Sequence, residues 1–294
     1  ADAVVMVEHV VREGDRVRTD RAASPGQFIN PRGAEARQGD ALILAGKRLD
    51  YCDVALLATI GQTRIPVYRR PVVAILATGD EIVEPEETPR EFQIRNSNVY
   101  SLAVQVARAG GEPRILPVAR DNAGDTRRRI EEGLGADLLL LSGGVSAGKY
   151  DLVETVLAGM GAVFFFDRVL IQPGQPLVFG RARDRFFFGL PGNPASTMVT
   201  FEVFARAAVE LLGGQSETAL PMTHATLASD FRHKTGLTRF LPARLSADGA
   251  VVAPVPWQGS SDVPALARAN AFLVAGPDRA EWKAGDSIRV LLKS

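Results

Sequence analysis

Leu138-Leu139-Leu140-Leu141-Ser142-Gly143-Gly144-Val145-Ser146-Ala147-Gly148-Lys149-Tyr150-Asp151 is the stretch that decides the fold. Four consecutive leucines read as a strand buried on both faces, because a strand with one wet face would alternate. The run passes directly into two glycines, and Leu152, Val153, Val156, Leu157 and Met160 then recur at helical spacing. A strand end, a glycine turn and a helix N-terminus present several backbone N–H groups at one point, where the helix dipole favours an anion. Glycine lets a ligand approach that backbone closely. Ser142 and Ser146 add hydroxyls. Asp151 adds a carboxylate, which a bound phosphate would repel unless a divalent cation lay between them. The loop reads as a phosphate site, against the plainer reading of a turn that uses glycine for geometry alone.

The same rhythm extends outward. Strands are expected at Val72–Ala77, Glu112–Val118, Val163–Val169, Pro176–Phe179 and Phe186–Gly189. Helices are expected at Val99–Ala109, Thr126–Leu134, Leu152–Met160 and Ser196–Leu212. Alternating strands and helices imply a doubly wound, mostly parallel α/β sheet, which binds ligands at the carboxyl ends of its strands. Residues 1–70 read as a mixed, β-rich segment with a helix near Val54–Ala58 capped by Gly61, closed by a strand at Ile65–Tyr68. After Gln215 the pattern becomes short strands (Met222–Leu227, Thr238–Leu245, Ala250–Pro254, Ala271–Ala275, Ser287–Leu292), which suits a small β-barrel-like domain. The expected division is 1–70, 71–214 and 215–294.

Composition narrows the function classes. The 294 residues carry a formal net charge of +0, and basic residues are scattered apart from Arg127-Arg128-Arg129, so no concentrated positive face for nucleic acid is expected. No apolar run approaches the ~20 residues that span a bilayer. The single cysteine, Cys52, excludes an intrachain disulfide and a thiolate metal cage, and it is compatible with a cytoplasmic protein. Three separated histidines (His9, His224, His233) make a His-rich metal site improbable.

Further polar loops follow other predicted strands. Thr78-Gly79-Asp80-Glu81 follows Ala77, with Asn96-Ser97-Asn98 at the next helix start, and Arg120-Asp121-Asn122 follows Val118. Carboxylates at strand ends facing a phosphate loop suit Mg²⁺ or general acid–base chemistry, although Asp, Asn and Ser also favour turns and caps. Gln172-Pro173-Gly174-Gln175-Pro176 and Leu190-Pro191-Gly192-Asn193-Pro194-Ala195-Ser196 add rigid turns, the latter with polar groups at a helix start.

In order and spacing, Thr78-Gly79-Asp80-Glu81, Ser97-Asn98, Ser142-Gly143-Gly144-Val145-Ser146, Asp151, Pro173-Gly174-x-Pro176 and Leu190-Pro191-Gly192-Asn193-Pro194 resemble the molybdopterin molybdotransferase family (MoeA and the gephyrin E domain). The likeness runs through essentially the whole chain. It implies a transferase of molybdenum cofactor biosynthesis that takes adenylylated molybdopterin and molybdate, releases AMP with Mg²⁺, and works as a homodimer. It implies that Glu81, Asp121 and Asp151 are the catalytic and metal-holding carboxylates. The ligand would be held by Thr78, Gly79, Asp80, Ser97, Asn98, Ser142, Gly143, Gly144, Val145, Ser146, Gly148, Pro173, Gly174, Pro176, Pro191, Gly192, Asn193, Pro194 and Ser196.

This chain departs from the family pattern in places. Many members carry Lys-Pro-Gly-Lys-Pro where this chain has Gln172 and Gln175, which weakens the expected hold on an anion; Arg168 and Lys149 belong to the same loops. Ala1-Asp2-Ala3-Val4-Val5-Met6 resembles a segment well inside the family's N-terminal region, so the family's Asp-Gly-Tyr-Ala segment is not expected within these residues. A non-catalytic molybdopterin-binding or scaffold protein on the same fold is the alternative. A molybdopterin adenylyltransferase-like or nicotinamide-nucleotide hydrolase-like enzyme fits less well, because those relatives resemble the central domain alone.

Overall fold

The computed structural model describes residues 1–144 and 152–293. By its contacts the chain falls into two compact units, 1–56 and 57–294. The first holds a short antiparallel hairpin, β1 (Val10–Glu13) with β2 (Arg16–Thr19), turned by Gly14 at φ +63°. Its remaining residues are largely irregular up to helix α1 (Tyr51–Thr59), whose last residues lie in the second unit. Asp53 on α1 is buried, and Lys47 donates to its carboxylate at 2.5 Å. Cys52 is exposed.

The second unit is built on a six-stranded sheet. After β3 (Val72–Ala77), the short parallel pair β4 (Ile82–Val83) and β5 (Ile94–Arg95) leads into helix α2 (Asn98–Arg108). Then come β6 (Glu112–Ile115), α3 (Ala123–Gly133), β7 (Leu138–Ser142), α4 (Leu152–Gly159) and β8 (Val163–Arg168). A two-residue strand, β9 (Ile171–Gln172), precedes the hairpin of β10 (Pro176–Ala182) and β11 (Arg185–Leu190). The sheet order is β6-β3-β7-β11-β10-β8. From β6 to β11 the neighbours are parallel, while β10 runs antiparallel to both β11 and β8.

The four leucines of β7 show why this sheet forms. All are fully buried; Leu139 and Leu141 enter one core, Leu138 and Leu140 the other. Each contributes roughly 1.5–3 kcal/mol by burial. In β3, Ala74 and Leu76 join the first core and Val73 and Ile75 the second, the same period of two. Helices α3 and α4 cover the first face through Ile130, Val153 and Leu157, and α2 covers the second through Val99, Leu102 and Val106. On that second face the chain continues as α5 (Pro194–Thr200), one π-helical turn (Phe201–Ala205) and α6 (Arg206–Leu212), where a single helix was expected. Buried Glu202 lies on the π turn and accepts from Gln105 Nε2 at 2.6 Å.

The C-terminal part closes into a five-stranded barrel. Its strands are β12 (Met222–Leu227), β14 (Thr238–Leu245), β15 (Val251–Pro254), β16 (Ala271–Ala275) and β18 (Ser287–Leu292). The order β15-β12-β18-β16-β14 is closed by pairing of β14 with β15. Strands β13 (Phe231–Arg232) and β17 (Glu281–Trp282) pair beside it, and helix α7 (Val263–Arg268) follows Asp262, whose carboxylate caps it at Ala265 N–H. Strand β9 pairs in parallel with β14, so a segment between two strands of the α/β sheet also extends the barrel sheet. Ile171, Val199, Phe240, Phe272 and Leu291 pack together at this junction.

Some expectations differ from the structure. Ile65-Pro66-Val67-Tyr68 forms no strand: Pro66 lacks the donor a ladder needs, and the Tyr68 ring instead lies against Gly214, whose missing Cβ it would overlap. The expected strand at Glu112–Val118 ends at Ile115.

Candidate functional site

The four parallel strands β6, β3, β7 and β11 end side by side, and their carboxyl-end loops are joined by hydrogen bonds. Thr78 N–H donates to Ser142 O at 3.3 Å, and Gly79 N–H to Ala119 O at 3.1 Å. Asp80 and Asp121 then exchange bonds across the two loops. Asp80 N–H donates to Asp121 Oδ2 at 3.2 Å, and Asp121 N–H to Asp80 Oδ1 at 3.3 Å. Both side chains stay exposed, so each carboxylate keeps an oxygen for other work. In the sheet β3 lies between β6 and β7, so the order in which the chain adds its parallel strands reverses beside β3, the kind of position where open α/β sheets take their ligands.

Asn98 is the hub between β7 and β11. From the first turn of α2 its Nδ2 donates to Ser142 Oγ at 2.9 Å and to Gly192 O at 2.7 Å. Among the described residues its buried Oδ1 has no partner. Ser97 beside it is exposed and makes no capping bond. Gly143 N–H donates to Leu190 O at 3.2 Å, which seals the same two strand ends together. The sequence reading had left that N–H for a ligand. Among the described residues the N–H groups of Gly144, Gly192 and Asn193 have no acceptor, so the unused donors lie on two loops rather than one.

The glycines here are fixed by crowding as well as by φ. Gly144 has φ +63°, and a Cβ on it would fall 2.6 Å from both Thr78 Oγ1 and Val153 Cγ2. Gly79 has φ +133°, and a Cβ there would fall 2.2 Å from Glu81 Oε2. The Glu81 carboxylate thus folds back against Gly79 of its own loop, and Glu81 is exposed.

The Pro191–Ser196 turn is held from within. Pro194 occupies the first turn of α5, Asn193 precedes it without a side-chain cap, and Ser196 is buried. Thr197 Oγ1 donates to Pro191 O at 2.5 Å and lies 3.1 Å from Asn193 O. Ala195 N–H donates to Ser260 O at 2.9 Å, tying the turn to the barrel side. Pro173 and Gly174 are buried against α5, where a Gly174 Cβ would meet Thr200 Cγ2 at 2.4 Å; Pro176 opens β10 opposite Arg168. Thr197 was not singled out by sequence. The signal for Thr197 was its place one turn into a helix that follows Pro-Gly-Asn-Pro.

The Arg120-Asp121 loop is anchored by helix α3. Asn122 Oδ1 accepts from Asp125 N–H at 2.9 Å, and the Asp125 carboxylate accepts Arg120 N–H at 2.9 Å and pairs with Arg128. That backbone donor first, and then the Arg128 guanidinium, hold the Asp125 carboxyl below its ordinary value. Val145, Ser146, Gly148 and Asp151 lie outside the described residues. Of the three expected carboxylates, Glu81 and Asp121 are therefore the two placed, and among the described residues no cluster of three metal-ligating side chains occurs. No helix among them is long and apolar enough to cross a membrane.

Comparison with known proteins agrees with this layout. Family models match three consecutive parts: "MoeA N-terminal region (domain I and II)" over residues 1–61, "Probable molybdopterin binding domain" over 74–211, and "MoeA C-terminal region (domain IV)" over 224–293. Molybdopterin molybdenumtransferase of Bacillus subtilis is 32% identical over 299 residues, covering 99% of this chain and 70% of the relative. The chain belongs to the molybdopterin molybdenumtransferase family. The Staphylococcus aureus member is 30% identical over the same shares of each chain. A solved family member, a molybdopterin biosynthesis MoeA protein from Pyrococcus horikoshii, superposes with a TM-score of 0.80 at 28% identity, covering 100% of this chain and 72% of its own. In this family the loops just described fall within the matched molybdopterin-binding segment.

Proposed function

We propose that this protein is a molybdopterin molybdenumtransferase that binds adenylylated molybdopterin at the carboxyl ends of β3, β6, β7 and β11, releases AMP with Mg²⁺, and places molybdate on the dithiolene. One observation carries the reading: N–H donors at Gly144, Gly192 and Asn193 that have no acceptor among the described residues, and carboxylates at Glu81 and Asp121, lie in the segments that follow four adjacent strands. Donors of that kind suit the pterin phosphate. Exposed carboxylates beside a phosphoanhydride suit Mg²⁺, which takes one or two carboxylates plus phosphate oxygens. Glu81 and Asp121 would hold the ion, with Asp151 assigned to the same role from the sequence. When bound, Mg²⁺ offsets charge on the phosphoanhydride and on the departing AMP.

The chain's own groups supply positioning. Asn98 and the Gly143–Leu190 bond keep the ends of β7 and β11 at fixed separation. The Asp80–Asp121 exchange does the same for β3 and the segment after β6. Thr78, Gly79, Ser142, Pro191, Pro194 and Ser196 shape the cradle, and Pro173, Gly174 and Pro176 back it through α5. We further propose the division 1–70, 71–214 and 215–294, supported by the three family matches, and a homodimeric, cytoplasmic enzyme with no nucleic-acid partner.

Incubating the protein with adenylylated molybdopterin, molybdate and Mg²⁺ tests the reading. Stoichiometric AMP with molybdenum-bearing molybdopterin is expected, and chelation of Mg²⁺ should stop AMP release. Binding of molybdopterin with no transfer under any condition would favour the scaffold reading, to which neutral Gln172 and Gln175 lend support.

A further inference from the structure

The turn that carries Gly192 and Asn193 is completed from the barrel side. Helix α5 begins with Pro194, which has no N–H, so Ala195 supplies the first donor that a cap would take. Asn193 stands at the capping position, yet its side chain makes no capping bond. The buried Ala195 donates instead to Ser260 O at 2.9 Å. A carbonyl from the segment between β15 and α7 therefore replaces the local cap.

That segment has no regular structure, and Gly259 within it takes φ +129°. Its shape is set by Asp262. One carboxylate oxygen, Oδ2, accepts Gln258 N–H at 3.0 Å, and the other, Oδ1, accepts Ala265 N–H at 3.0 Å. Asp262 N–H also donates to Gly259 O at 3.1 Å. The carboxylate thus spans Ser260, tied to Gln258 before it and to α7 after it. Among the described residues no other side chain hydrogen-bonds to residues 258–261. Helix α7 has separate anchors: Leu266 packs with Ala195 and Val199 at the junction, and Lys293 Nζ donates to Leu266 O at 2.5 Å and Ala269 O at 2.8 Å. Removing the Asp262 carboxylate therefore frees the Ser260 bend and leaves α7 docked.

We propose that Asp262 is a positioning residue for the turn after β11: by fixing Ser260 O it holds Ala195 N–H, and with it the directions of the Gly192 and Asn193 N–H groups. With Ser260 O displaced, the Ala195 donor turns to the side chain of Asn193, which reorients the residue carrying one of those groups. The value of those donors for molybdopterin rests on the transferase reading above, whereas the link from Asp262 to the turn does not.

Hydrogen exchange across residues 190–200 of the full chain, with molybdopterin calorimetry in parallel, tests it in Asp262→Ala, Asp262→Asn and Asp230→Ala. Asp230 is the control because its carboxylate holds another barrel-side turn, accepting from Ala284 N–H at 2.8 Å and Lys283 Nζ at 2.9 Å. Asp262→Ala should speed exchange by about tenfold or more, the effect of one lost hydrogen bond, and weaken molybdopterin by about fivefold or more. Asp262→Asn keeps one acceptor oxygen and should lie between Ala and the native residue. Asp230→Ala should leave both readings within about twofold, as a distant site does. Unchanged exchange in Asp262→Ala overturns the proposal, as does an equal rise in Asp230→Ala, the mark of a general loss of stability. So does unchanged molybdopterin affinity in an Asp262→Ala protein whose exchange has risen. If the native chain binds no molybdopterin while the exchange pattern holds, the transferase reading fails and the link from Asp262 to the turn stands.

Discussion

Asn98 shows how one side chain fixes a site. Its two donors satisfy Ser142 Oγ at the end of β7 and Gly192 O in the turn after β11, so removing the amide takes a partner from both. Asn98→Ala should cost about 1–3 kcal/mol of stability and weaken molybdopterin binding together, read by urea denaturation and calorimetry. Asn98→Asp loses the donors while keeping the shape, and should behave like Ala rather than like the native residue. At this scale the sequence was a partial guide. Gly143-Gly144 and Asn98 stood out in it, but the capture of Gly143 N–H by Leu190 did not. That bond joins residues far apart in the chain, and no local pattern encodes it. Nor did the crowding of Gly144 by Thr78 and Val153.

At the scale of elements, the foot of the sheet carries the charge that matters for acid stability. Asp137, just before β7, accepts from Arg69 through both oxygens at 2.5 and 2.6 Å and from Val72 N–H at 2.9 Å. The Arg69 guanidinium, against the opposing effect of burial, brings its carboxyl down to about 2. A depressed folded value means stability that is present above the ordinary carboxylate range and lost as pH falls from about 4 through about 2. Asp137→Asn should therefore cost about 1–2 kcal/mol near pH 7 and almost nothing near pH 2, measured by denaturation at both ends. The strands of this sheet were legible because runs such as Leu138–Leu141 and Val72–Ala77 admit one reading. Strands β9, β13 and β17 were not, since two-residue pairings have no period to detect. The π turn at Phe201–Ala205 sits in an apolar run with unbroken helical character, and it is a tertiary choice.

For the whole molecule, the proposed function needs four strand-end loops brought into one register and braced from outside the sheet. The α5 turn is held to Ser260 on the barrel side, and β9 pairs with β14, so the barrel braces the proposed ligand face without contributing its carboxylates. The barrel itself could be read from its run of short strands, whereas its attachment through β9 could not. The central claim is that Glu81 and Asp121 act in cleavage rather than in holding the pterin. It is tested most directly by measuring single-turnover AMP release and molybdopterin affinity side by side in Asp121→Asn. The account predicts AMP release slowed by about two orders of magnitude or more, with affinity unchanged or tighter as a like charge is removed. Normal Mg²⁺-dependent release, or slow release explained wholly by lost binding, would contradict it.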